Sequence, residues 1–338
     1  MKFLLIITFV LVVLIMTVGC MSESDTAGDD VVFQIALIGD IPRLGDMAIE
    51  PDLQPFHNLR DSINASGVEF IIHDGDFKSG ASPCSDEYFE RWLGMIGSFD
   101  APFFMIFGDN EWTDCWRDGA GGYDPLERLD RLRDMFFSKP VSKGRRTMPL
   151  ERQSDSTVDP RFRIFRENIR WTHGNVMFLG LNVQGSYDNF GRTPVMDNEY
   201  RLRKEAVIAY MRETFDLAKQ KGNNGIMVTI QANPRFERRA DDTTPDAYSD
   251  FLSALHDETL AFDGKPVILV HGDSHYFRID KPMYGSRSKR RIENFTRVET
   301  FGAPDNHWIL CTINPSDPNL FRFEQRIIKE NLIDHLGK

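Results

Sequence analysis

Short apolar runs bounded by turn residues recur along the chain: VFQIALIG (32–39), VEFIIHDG (68–75), PFFMIFGD (102–109), NVMFLGLN (175–182), GIMVTIQA (225–232), KPVILVHG (265–272) and HWILCTI (307–313). Each is too short and too uniformly apolar for a surface helix and is predicted as a buried strand. Between them lie helical patterns at 87–99, 125–137, 199–221 and 247–262. The third places Leu202, Ala206, Ile208, Ala209, Met211, Phe215 and Leu217 along one amphipathic stripe. This alternation predicts an α/β fold with a largely central sheet covered by helices on both faces.

The N-terminus follows a different pattern. After Lys2 the run FLLIITFVLVVLIMTVG carries no charge, and the first acid is Glu23. Such a segment is an export signal or a membrane anchor rather than part of the fold. Its end, Thr17-Val18-Gly19-Cys20, resembles a bacterial lipoprotein box, which implies lipidation of Cys20. An uncleaved membrane helix and plain cleavage are the other two readings, and all three place the domain at the cell envelope. Residues 21–30, rich in Ser, Asp and Gly, read as a tether, leaving 31–338 as one domain because a split in the polar stretch 138–159 leaves too few strands on each side.

Composition changes this picture only at its margins. The 51 acidic and 40 basic side chains give a net charge of -11, which argues against a general nucleic-acid binder. The densest basic run, Arg287 to Arg291, is short and reads as a solvated face. In an exported protein cysteines oxidise. Cys84 and Cys115 lie in polar, turn-rich stretches and Cys311 in an apolar run, which points to a Cys84–Cys115 disulfide, with two free thiols as the alternative.

The candidate chemistry lies where strands end. In open α/β sheets ligands bind at the carboxyl ends of the strands. Here these ends read Gly39-Asp40, Gly75-Asp76, Gly108-Asp109-Asn110-Glu111 and His271-Gly272-Asp273-Ser274-His275. One Gly-Asp pair after a strand is an ordinary turn. Several carboxylates converging on one crevice repel one another, and a divalent cation is the usual remedy.

The order and spacing of these clusters resemble the calcineurin-like metallophosphoesterases. The matching stretches are Asp40-Ile41-Pro42, Gly75-Asp76-Phe77-Lys78, Gly108-Asp109-Asn110-Glu111, Gln231-Ala232-Asn233-Pro234 and Gly272-Asp273-Ser274-His275, spanning roughly residues 32 to 313. The resemblance implies a sandwich of central β-sheets flanked by helices, a centre of one or two metal ions and a small phosphorylated substrate. Asp40, Asp76 and His275 fall on family ligand positions. Pro42 stands where the family has a histidine ligand, and proline cannot bind metal. Asp109 stands for the family's ligand asparagine and Asn110 for its proton-donating histidine; shifted by one, Asn110 is itself the ligand. Gln231 replaces a lone histidine ligand and Asp273 the first histidine of the last motif.

This donor set is dominated by oxygen and favours Mg, Mn or Ca over Zn or Fe. The candidate ligands are Asp40, Asp76, Asp109, Asn110, Gln231, Asp273 and His275. The catalytic candidates are Asn110, Glu111 and His271, the last being the nearest replacement acid by sequence. His73 and His307 are weaker candidates, and His73 on an apolar strand reads as a core histidine. Trp112 and Trp116 either stack on a substrate or pack under their loop, and Arg278 and Arg297 either clamp a phosphate or pair with acids. Two function classes follow: a metal-dependent phosphoesterase of the cell envelope, or a catalytically inactive binding or structural module of the same fold.

Overall fold

The structure is a computed structural model that describes residues 31–42, 53–239 and 241–332. The expected export segment, Cys20 and the tether lie outside the described residues. Among the described residues no helix is long and apolar enough to cross a membrane.

Two mixed sheets form the centre. The first has the order β12-β11-β1-β2-β3, with β1 (Phe33–Ile38), β2 (Phe70–His73) and β3 (Phe103–Met105) parallel and β11 (Trp308–Ile313) and β12 (Phe321–Arg326) added antiparallel. The second runs β4-β5-β6-β7-β8-β10-β9. Its strands β6 (Val176–Gly180), β7 (Gly225–Thr229), β8 (Val267–His271) and β10 (Phe295–Glu299) are parallel. At its edges β4 (Glu151–Arg152), β5 (Ile169–His173) and β9 (Arg278–Asp280) run antiparallel to their neighbours. The residue pattern predicts one sheet; the chain builds two, in agreement with the sandwich that the family resemblance implies.

The two sheets are held face to face by aromatic side chains. Phe104 of β3 stacks on Trp171 of β5 with centroids 3.8 Å apart, and Phe70 of β2 meets Phe178 of β6 edge-on at 5.1 Å. Of these strands β2, β3 and β6 are buried on both faces, which explains apolar runs without alternation. Helices Gln54–Ser66 and Asp86–Ile96 cover the outer face of the first sheet through Phe56 and Trp92, the latter 6.0 Å from Phe103. Helices Pro194–Lys221 and Ser249–Leu260 cover the second through a separate core that includes Val207, Met211, Phe215, Phe251 and Leu255.

Local signals set these helices. Ser85, Asp124 and Thr193 cap three of them by accepting backbone N–H groups of the first turn, and Gly67 and Gly222 end two in the left-handed conformation. The parallel strands of both sheets deliver their carboxyl-end loops to one edge of the sandwich, where Asp40 after β1 meets Asp273 after β8. Cys84 and Cys115 form a disulfide that ties the loop after β2 to the loop after β3, and Cys311 is free and buried.

Candidate metal centre

Four site residues sit on strained backbone. Asp40, Asp76, Asp273 and His275 have φ values of 52°, 59°, 74° and 56°. This left-handed region costs a non-glycine residue roughly 1–3 kcal/mol and persists where surroundings enforce it. The turn aims each side chain back across the strand ends, and neighbouring glycines make room. A Cβ on Gly108 would lie 1.8 Å from Asp76 Oδ1, and one on Gly272 would lie 2.2 Å from Asp40 Oδ2.

Carboxylate oxygens of Asp76, Asp109 and Asp273 converge within 4.8 Å of one another. Each is oriented from behind. Asp76 accepts from Asn110 N (3.2 Å) and Asn110 Nδ2 (2.8 Å), Asp109 from Ser186 Oγ (2.6 Å), and Asp273 from Asn233 N (3.3 Å). Beside them Asp40 is fully buried; its Oδ2 accepts Asp273 N at 3.0 Å and its Oδ1 lies 3.2 Å from His275 Nε2. The other His275 nitrogen faces Ala303 O at 2.6 Å.

The electrostatics are those of anions crowded away from water. Burial first, and then the charges of Asp109, Glu111, Asp40 and Asp273, push Asp76 well above the usual carboxylate range. Burial, with Asp109 and Asp40, raises Asp273 to about 7. Among the described residues Lys78 is the one buried ammonium nearby, with Nζ 2.7 Å from Asn110 O and its own pKa lowered by burial. One lysine does not balance this cluster. The donor set, all oxygen with a histidine at its edge, fits a hard divalent cation.

The other expected site residues have differing surroundings. Gln231 lies at the cluster, but its Oε1 accepts Gly185 N at 2.6 Å, so its amide nitrogen, 3.5 Å from Asp109 Oδ1 and 3.4 Å from Asp273 Oδ1, faces the carboxylates. An amide turned this way donates to acids and does not offer an oxygen to a metal. Of the two registers at the third motif, Asp109 joins the cluster, and Asn110 holds Asp76 from the side. Glu111 is fully buried and accepts backbone N–H groups of Gly108 (2.6 Å), Asp76 (3.0 Å) and Lys78 (3.2 Å). It binds two loops together. Burial raises its pKa to about 7 against the pull of Lys78.

His271 is no better placed for acid catalysis. It is fully buried, burial lowers its pKa to about 3, and Nε2 lies 3.9 Å from Glu299 Oε2 behind the strand end. His73 is a core histidine bonded to Ile41 O (2.7 Å) and Gly75 N (3.0 Å). His307 accepts Ile328 N at 3.3 Å. Arg278 and Arg297 pair with Glu299 (2.6 Å) and Asp280 (2.6 Å), and Trp112 is fully buried with Arg203 over its ring at 5.1 Å. Trp116 is half exposed beneath Arg192.

Three site residues escaped the sequence reading. Ser186 bridges Asp109 and Asp114, its Oγ 2.8 Å from Asp114 Oδ2. Asp114 is buried beside Arg117 (2.8 Å), and burial, then Asp109, raises it to about 6. Asp74 is fully buried behind Asp40 and bonded to Thr300 Oγ1 at 2.7 Å. Only Asp74 had a signal, as the first of the two acids in the Asp74-Gly75-Asp76 strand end.

No family model and no curated protein matches the chain. Solved structures do. A purple acid phosphatase, PPD1, from yellow lupin (Lupinus luteus) seeds is similar over 91% of this chain and 53% of its own, with TM-score 0.53 and 12% identity. A structure of PhoD is similar over 85% of this chain and 65% of its own, with TM-score 0.51 and 10% identity. The fold is that of the calcineurin-like metallophosphoesterases. The chain spans about half the length of the lupin phosphatase. In this metallophosphoesterase fold the acidic cluster sits at the carboxyl ends of β2, β3 and β8, on loops from both sheets.

Proposed function

We propose that the protein is a metal-dependent phosphoesterase of the cell envelope, acting on a small phosphate ester. One observation carries this reading: three carboxylates, of buried Asp76 and Asp109 and half-buried Asp273, converge within 4.8 Å at the strand ends of a fold shared with a purple acid phosphatase and with PhoD. Mg, Mn or Ca suits these donors. When bound, such a cation cancels charge building on the phosphoryl oxygens and raises the acidity of an attacking water.

The chain's own residues supply the rest. Asn110 fixes the plane of the Asp76 carboxylate, Lys78 offsets part of the negative charge, and Glu111 locks the two loops that carry them. The Ser186 hydroxyl lies within hydrogen-bond distance of both Asp109 and Asp114 and ties these two acids together beside the cluster. The Cys84–Cys115 disulfide suits an oxidising compartment and supports export, as does the N-terminal apolar run.

A second reading is a binding module without turnover, and one observation favours it. The Gln231 amide nitrogen already sits against two carboxylates, partly doing the work of a cation. Phosphate release from p-nitrophenyl phosphate, with Mg, Mn, Ca or Zn and with chelator, separates the two. Cation-dependent turnover lost in Asp76→Asn is expected; a folded protein that turns over no ester with any of these ions contradicts the phosphoesterase reading.

A further inference from the structure

Beside the cluster lies a cleft of about 390 Å³, whose wall includes Asp273 of the acidic group and Ser186, the hydroxyl bonded to Asp109. Its size is within the range of small-molecule sites. One side is formed by an unusual segment. Ser186, Tyr187, Asp188 and Asn189 all take left-handed conformations, with φ of 49°, 57°, 54° and 67°. Each such non-glycine residue costs roughly 1–2 kcal/mol. A run of four is therefore held by force from outside.

The holding groups are buried and named. Asp188 accepts Gln184 N at 2.8 Å and pairs with the fully buried Arg203 at 2.5 Å; Arg203 is held in turn by Glu199 at 2.6 Å. Gly185 N is fixed on Gln231 Oε1. Strain maintained this way at a cleft points to function. The turn has two results: Ser186 is pinned on Asp109 and Asp114, and Tyr187 is lifted to the rim, 38% exposed.

The other polar groups of the cleft are already engaged. Asn233 Nδ2 donates to Ser274 Oγ at 2.7 Å, and Tyr248 donates its hydroxyl to Gln184 O at 2.7 Å. Arg235 is tied to Thr244 Oγ1 at 2.6 Å and ion-paired with Asp242, so the cleft holds no uncommitted cation for a second anionic group. No hydrogen bond, ion pair or ring contact among the described residues engages the Tyr187 side chain. What the cleft offers beyond the cluster is one aromatic face.

Resting on the phosphoesterase reading, we infer that Tyr187 is a specificity-determining residue: the cleft takes the alcohol portion of the substrate, and that portion carries a flat, uncharged ring that lies on Tyr187. The substrate class is an aryl or heteroaryl phosphate ester, in preference to an alkyl or a doubly anionic one. The left-handed turn sets the distance between that ring and the phosphate site, because the adjoining residue, Ser186, is bonded to the cluster.

The test compares phenylphosphonate with methylphosphonate by calorimetry, and phenyl phosphate with glycerol 3-phosphate by turnover, in the cation-supplied protein and in Tyr187→Ala and Tyr187→Phe. An aromatic contact of this kind gives a preference of about tenfold for the aryl ligand. Tyr187→Phe retains that preference, and Tyr187→Ala reduces it to within about twofold while binding of methylphosphonate is unchanged. Equal binding of both phosphonates by the unmodified protein, or an aryl preference that survives in a folded Tyr187→Ala, overturns the assignment and leaves the phosphoesterase reading standing. Failure to bind either phosphonate and to hydrolyse either ester removes both.

Discussion

At the scale of single residues, the centre is a set of acids whose charges are unfavourable until something balances them. Asp76 is the most exposed to this conflict, since burial and four neighbouring acids act on it together. Asp76→Asn is therefore expected to have opposite effects in two conditions. With chelator present it melts no lower than the parent, because a repulsion is gone; with Mn supplied it melts lower and turns over ester at least about a hundredfold more slowly. Melting curves and rates in both buffers check this, and a variant more stable than the parent in Mn contradicts it. Glu111→Gln has a different cause of damage. Three backbone N–H groups point at that carboxylate, and an amide supplies one acceptor oxygen, so a loss of roughly 1–3 kcal/mol is expected in urea unfolding. The acids themselves were legible as residues, because glycine and aspartate at successive strand ends leave a mark. The orientation of Gln231 was not, since it depends on Gly185 N, a backbone group 46 positions away. Ser186 lies after β6, whose end carries no acid to draw notice.

At the scale of elements, the apolar strands were readable and the charged ones were not. All seven predicted runs contain strands, as β1, β2, β3, β6, β7, β8 and β11. By contrast β10 carries Arg297 and Glu299, and β5 carries Arg170, charges that break the apolar pattern yet are buried against Asp280, Arg278 and Glu151. That pairing is tertiary and leaves no periodicity. Helix Gln54–Ser66 lies outside the predicted helical patterns, and only Phe56, Leu59 and Ile63 of its residues are buried, a sparse apolar stripe. Two predictions belong to this scale. Gly108→Ala must push Asp76 aside, as its Cβ would lie 2.4 Å from Asp76 N, so cation affinity falls while the secondary structure measured by circular dichroism is retained. Reducing the Cys84–Cys115 bond frees a loop with sequence separation 31 and is expected to cost roughly 2–4 kcal/mol, read as a lower melting temperature in reductant.

At the scale of the whole molecule, the family resemblance reached further than periodicity. Alternating elements describe a single covered sheet equally well, and only side chains such as Phe104 and Trp171, which stack between sheets, decide for two. The crowded acids also give the molecule a pH signature. Asp273 and Glu111 are raised from 3.8 and 4.5 to about 7, so the cation-free fold binds more protons than the unfolded chain between about pH 4 and 7. Stability from these groups is present below the unfolded values and is lost as pH rises through 7. Cation-free protein is expected to melt roughly 3–6 °C higher at pH 5 than at pH 8, and a saturating divalent cation flattens the difference. A melting temperature that rises from pH 5 to 8 without cation contradicts the crowding.

The most direct test of the cation site is electron paramagnetic resonance of Mn added to the purified, chelator-treated protein at pH 7.5. Stoichiometric loss of the free Mn signal, reversed by Mg and absent in Asp76→Asn, is the predicted result. Mn that stays entirely free in solution beside a folded protein contradicts a metal centre at Asp76, Asp109 and Asp273.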